Sequence, residues 1–162
     1  MERQIQRGKQ WLEDLLRLMG IPAAVKIEMV KAAGGESESF WLTIDETTLT
    51  LDRVQCLIGQ KGETIDAIQY LANALVNIGV EPEERRAFTV ELNGYRARRQ
   101  AELLALAQQV AQQVRETGRE VEMKALSSAE RRQVHTILQD SEDLTTESRG
   151  QEPDRRLVVR LR

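Results

Sequence analysis

Aromatic side chains are scarce in this 162-residue chain, with two Trp, two Tyr and two Phe. That argues against a protein that stacks many bases on aromatic rings. A single cysteine, Cys56, excludes an internal disulfide and any zinc site built from several cysteines. Set among Val54, Leu57 and Ile58, it reads as a small buried hydrophobe. No stretch approaches the roughly 18 apolar residues of a membrane span. The opening Met1-Glu2-Arg3-Gln4 starts no long apolar run. A soluble cytoplasmic protein without a secretory signal is therefore expected. Paired carboxylates at metal spacing, a nucleophile elbow and a Walker-type glycine–lysine loop are all missing. No enzyme, no metal and no cofactor is predicted.

What is present suits folded structure: 41% apolar residues and 30% charged. The length fits one domain or two small ones. The net charge of −3 does not advertise a polyanion binder, but the charge is unevenly placed. Residues 1–93 hold 10 Lys/Arg against 15 Asp/Glu, and residues 94–162 hold 13 against 11. Arginines cluster at 96, 98 and 99, at 131 and 132, and at 149, 155, 156, 160 and 162. Such clusters are usually a solvated surface of mixed sign. They can also form a local basic face that binds a polyanion weakly and with strong salt dependence.

The stretch Leu57-Ile58-Gly59-Gln60-Lys61-Gly62-Glu63-Thr64-Ile65 organises the first part of the chain. Two glycines bracket Gln60 and Lys61, and Ile65, Ile68, Ala72, Leu75 and Val76 then follow at helical spacing. The first amides of that helix favour an anion, and Lys61 adds a cation at the tip. Two glycines alone also fit an ordinary helix-starting turn. Around the loop, periodicity predicts a helix over 3–19 with Ile5, Leu12, Leu15, Leu16 and Met19 as its stripe. That helix belongs either to the following domain or to an appendage. Strands are predicted near 25–30, 40–44 and 88–92, with a hairpin loop at Gly34-Gly35.

Past Asn93-Gly94 the character changes. A helix from Tyr95 to about Glu116 carries Leu103, Leu106, Ala107, Val110 and Val114. Ser127 sits three residues before Glu130, a capping-box pattern that opens a helix over 128–139. Short strands are predicted at 120–123, 144–147 and 157–161. Arg131 and His135 are four apart, so both share one face of that helix. They are either a phosphate-binding pair or a surface arginine with a structural imidazole.

Ile58-Gly59-Gln60-Lys61-Gly62-Glu63-Thr64-Ile65, entered from a short helix and continued as a longer one, resembles the KH-domain signature. Glu130-Arg131-Arg132-Gln133-Val134-His135 and Arg149-Gly150-Gln151-Glu152-Pro153-Asp154-Arg155-Arg156 resemble an R3H domain. The two in this order resemble the bacterial Jag family of RNA-binding proteins. The resemblance implies an α+β fold: a bacterial-type (type II) KH domain over 20–93, its three-stranded sheet covered by helices on one face. A small α/β R3H domain over 94–162 follows, with the N-terminal helix of 1–19 in front. Many family members carry a further N-terminal domain, which is not expected here.

The implied function is non-enzymatic binding of single-stranded RNA, as a post-transcriptional regulator or RNA chaperone. Gly59, Gln60, Lys61 and Gly62 would hold the backbone, with Ile58 and Ile65 as an apolar wall for bases. Arg131 and His135 would add phosphate contacts, with Arg132, Arg155 and Arg156 as further candidates. On this reading Gly62→Asp weakens RNA binding while the fold survives. Beside RNA, the resemblance allows for a small KH-domain partner protein or a homodimer, and no membrane contact is expected. The alternative is a protein–protein interaction module or KH-mediated dimer with little RNA binding.

Overall fold

The computed structural model describes residues 2–31 and 38–162. The chain divides into two compact units, Met1–Arg96 and Ala97–Arg162, each built on its own three-stranded sheet. The fold is α+β. The hairpin loop expected at Gly34-Gly35 lies outside the described residues.

The first unit runs α1 (Glu2–Leu18), β1 (Val25–Lys31), β2 (Glu38–Ile44), α2 (Leu51–Ile58), α3 (Glu63–Val76) and β3 (Ala87–Leu92). β1 and β2 pair antiparallel from Val25↔Ile44 to Lys31↔Glu38, while β2 and β3 pair parallel from Ser39↔Ala87 to Ile44↔Leu92. The parallel pair demands a crossover, which α2 and α3 supply. Alternation sends Phe40, Leu42 and Ile44 of β2 inward with Phe88, Val90 and Leu92 of β3. Leu12 and Leu16 of α1 are wholly buried in the same cluster, so that helix is part of the core and not an appendage. Gly8 permits its close approach, because a Cβ there would lie 2.6 Å from Phe88 Cε1. Met19, expected on the buried stripe, falls past the end of α1 and is exposed.

α2 buries Val54 and Leu57. Cys56 lies off that face and is exposed, contrary to the sequence expectation. Helical geometry explains it: 54 and 57 are one turn apart on one side, and 56 points away from them.

β3 is an edge strand, and α3 seals it. Val90 N donates to Gln69 Oε1 at 3.0 Å. Phe88 N donates to Asn73 Oδ1 at 2.8 Å, and Asn73 Nδ2 donates back to Phe88 O at 2.7 Å. Arg86 N and O make the same two bonds with Asn77, at 3.0 and 2.9 Å. The three amide side chains recur every fourth residue along one helix face. The backbone groups they meet recur every second residue along the strand, on its outer side.

The second unit runs from the body of α4 (Tyr95–Thr117) through β4 (Val121–Met123), α5 (Ser128–Leu138) and β5 (Leu144–Arg149) to β6 (Arg156–Leu161). Its sheet has the order β4-β6-β5, and both pairings are antiparallel. Leu103, Ala107, Val110, Ala111 and Val114 of α4 pack with Met123, Leu126, Val134, Leu138, Leu144, Leu157 and Val159. Leu106 is exposed, because the buried stripe passes through Ala111 instead. The expected capping box forms: Glu130 N donates to Ser127 Oγ at 3.2 Å and Ser127 N to Glu130 Oε2 at 2.9 Å.

Replacing Asn73 by Ala strands both backbone groups of Phe88. Asn73→Ala is expected to lower unfolding free energy by about 1–3 kcal/mol in urea denaturation. An unchanged midpoint would mean that water or a neighbour takes over both bonds.

Candidate nucleic-acid interface

The glycine bend joins α2 to α3. Gly59 has φ 75° and ψ 175°, Lys61 φ 51° and ψ 26°, and Gly62 φ 84° and ψ 12°. Three positive φ values in four residues reverse the chain within one tight turn. Both glycines are required by space as well as by dihedral. A Cβ on Gly59 would meet the Thr64 amide nitrogen at 2.7 Å, and one on Gly62 would overlap the Tyr95 ring. Gln60 and Lys61 stand exposed between them. α3 starts at Gly62 without a side-chain cap, so no side chain competes for its leading amides.

The flanking residues divide. Ile58 is half-buried against the core. Ile65, expected on the apolar wall, has 0% exposure and belongs wholly to the core. It shares the inward stripe of α3 with Ile68, Ala72 and Val76 and has no surface to offer a base. Gly62 is also buried, under Tyr95. The expectation that Gly62→Asp spares the fold fails, since any side chain there displaces the Tyr95 ring from the core. The open part of the bend is its tip.

Arg96 and Arg99 at the start of α4 are engaged inside their own units. Arg96 donates to Asp66 Oδ1 at 2.6 Å, Gln69 Oε1 at 3.0 Å and Val90 O at 3.0 Å. Arg99 meets Glu130 Oε1 at 2.6 Å and Glu102 Oε2 at 2.9 Å. Arg149 is held by Glu120 and Glu147, and these hydrogen bonds push its basicity further up. The Arg149 bond in turn holds the Glu120 carboxyl below its usual range. These contacts remove much of the basic face that the arginine clusters suggested.

A cleft of about 380 Å³ lies beside α5, lined by Arg131, Arg132, His135, Thr146, Glu152 and Arg155, among others. Its members play different parts. Arg131 is 5% exposed. Its Nη1 donates to Leu126 O at 2.7 Å and Arg155 O at 3.2 Å, and its Nη2 pairs with the Glu152 carboxylate. His135 Nδ1 contacts Thr146 Oγ1 across to β5. Arg132 and Arg155 are exposed, and among the described residues neither guanidinium enters an ion pair. Arg156 faces elsewhere: it binds Glu122 Oε2 at 2.8 Å and lines a separate surface cleft with Lys124 and Asp154.

Sequence reasoning missed Tyr95 as the wall behind Gly62, and Thr146 and Glu152 as partners of His135 and Arg131. No spacing signal links these pairs, because each is made by long-range packing. Among the described residues, no group of three or more His, Cys, Asp or Glu is placed to hold a metal ion. No described helix is long and apolar enough to cross a membrane.

Comparison with known proteins agrees with this anatomy. Residues 101–161 match the R3H domain family. Three curated relatives carry the name RNA-binding protein KhpB. That of Clostridium symbiosum is 35% identical over 111 residues, covering 68% of this chain and 49% of that protein. That of Lactiplantibacillus plantarum is 35% identical over 117 residues, covering 71% and 36%. That of Bacillus subtilis is 27% identical over 139 residues, covering 81% and 64%. The chain thus spans less than two thirds of the length of each of these relatives. The second unit is an R3H domain on a two-unit α+β chain. By these homologues the chain belongs to the Jag family, that of the KhpB proteins.

Two expected outcomes follow from the packing. Arg131→Ala leaves the Leu126 and Arg155 carbonyls without their donor, so chemical denaturation should show a loss of about 1–3 kcal/mol. A variant as stable as wild type would reduce Arg131 to a surface cation. Gly62→Ala forces a β-carbon into left-handed backbone and into Tyr95, costing at least about 1–2 kcal/mol by the same assay. Unaltered stability would show that the Tyr95 ring is free to move aside.

Proposed function

We propose that this chain is a non-enzymatic, cytoplasmic protein that binds single-stranded RNA, as a post-transcriptional regulator or RNA chaperone. On this reading residues 20–93 act as a KH domain and residues 94–162 as an R3H domain. The observation that carries it is the exposed Gln60–Lys61 tip, with Lys61 in left-handed backbone, between two spatially obligate glycines at an uncapped helix start. The Gly62 and Glu63 amides turn back onto the Gly59 and Gln60 carbonyls, so anion binding here would rest on the next amides of α3 and the Lys61 ammonium. A KH clamp grips the sugar-phosphate backbone in this way. The names of the KhpB relatives point to the same class of ligand.

Ile58 is the remaining apolar neighbour for a base beside the bend, now that Ile65 is enclosed. In the α5 cleft, Arg132 and Arg155 are the available phosphate donors, and His135 lies beside them. Arg131 shapes the cleft from behind, through the Leu126 and Arg155 carbonyls. A small partner protein of KH type remains part of the same proposal.

The test is a salt titration of binding to a labelled single-stranded oligonucleotide. Lys61→Gly removes the cation and suits the left-handed backbone, so stability should hold while affinity falls. Arg132→Ala and Arg155→Ala should each flatten the log–log salt slope by about 0.7, the value of one single-strand phosphate contact. Wild-type affinity and slope in all three variants would remove both sites from the proposal.

A further inference from the structure

The two edges of the first unit's sheet are treated differently. β3 is sealed by Gln69, Asn73 and Asn77. β1 is the opposite edge. Asp45 N donates to Ala24 O at 2.8 Å, so position 24 bonds toward β2. Val25 N instead donates to Glu13 Oε1 at 3.0 Å, so position 25 turns its backbone outward. The register then runs unbroken to Lys31, which sets Ile27 and Met29 outward as well. Glu13 occupies the Val25 amide. The Val25 carbonyl, both backbone groups of Ile27 and the Met29 amide remain directed away from the sheet.

Among the described residues, the protection this edge carries against strand pairing is its charged side chains and the Glu13 contact. β1 spans seven residues without proline or bulge, and Met29 and Val30 are 54% and 40% exposed. Its outer face carries Lys26 and Glu28, both exposed.

We propose that β1 pairs antiparallel with β1 of a second copy of this chain, about a two-fold axis at Ile27, joining two three-stranded sheets. The charge pattern selects this partner and this register. With the axis at Ile27, Lys26 lies opposite Glu28 of the second copy, and symmetry repeats the pair. Val25 lies opposite Met29 in the same arrangement. An axis at Lys26 or at Glu28 would oppose like charges, and one at Met29 would set Glu28 against Val30. The Ile27 register offers six backbone hydrogen bonds, two at Ile27 and four between Val25 and Met29, with the Met29 carbonyl of the second copy taking the Val25 amide over from Glu13. Cross-strand pairs of opposite charge then add to them. The surface is independent of the glycine bend and of the α5 cleft, so it stands whether or not the chain binds RNA.

Sedimentation velocity on the full chain across a wide dilution series tests it. The wild type should dimerise in a concentration-dependent way. Lys26→Glu and Glu28→Lys should each weaken the dimer about tenfold, since each turns two attractive pairs into repulsive ones. The double swap restores opposite charges and should return the wild-type constant. Thermal melts of all four proteins, run well below the dimer constant, should coincide, because both side chains face solvent. A wild type that stays monomeric throughout overturns the proposal and leaves the edge to a different occupant. A dimer indifferent to the single swaps overturns it too, and places that dimer on another face.

Discussion

Asn73 both donates to and accepts from the backbone of Phe88, and α3 is fastened along β3 by that exchange. Asn77 below repeats the exchange with Arg86, and Gln69 above accepts from Val90 N. Polar groups on an otherwise buried edge must find partners, and this ladder supplies them from a helix instead of from another strand. It fixes the axial position of α3 against the sheet. The glycine bend at the head of α3 is thereby held in place. Tyr95 closes on the bend from behind, while Arg96, bound to Gln69 and Asp66, ties the beginning of α4 to the same helix. An exposed lysine tip on so constrained a base loses little conformational freedom on meeting a ligand.

Charge follows a comparable division. Much of the arginine content serves the fold: Arg96, Arg99, Arg131 and Arg149 all have carboxylate partners. Lys61, Arg132 and Arg155 are exposed at the two candidate sites. An acidic protein can thus present local cationic points without a basic surface overall. Affinity of this kind rests on few contacts and responds steeply to ionic strength.

The element order and the capping box of α5 were legible in the sequence, because each leaves a local mark; the parallel pairing of β2 with β3 is long-range and left none. Periodicity gives the strands, glycine and proline the breaks, and Ser127 with Glu130 the helix start. The bend was equally visible as Gly59 and Gly62. What the sequence did not disclose is which side of a residue faces inward when neighbours on both sides are apolar. Ile65 and Cys56 were misplaced for that reason: one lies on the core stripe of α3, the other off the core stripe of α2. Nor did it show which cations are already engaged. Arg131 and Glu152 are far apart along the chain, and only the folded unit brings them together.

The position of Cys56 has a practical side. It is the sole thiol of the chain, exposed on the short helix that leads directly into the glycine bend. A maleimide dye would therefore attach at one defined spot next to the proposed clamp, leaving every core side chain untouched. Occupancy of that clamp becomes readable by fluorescence with no cysteine added or removed.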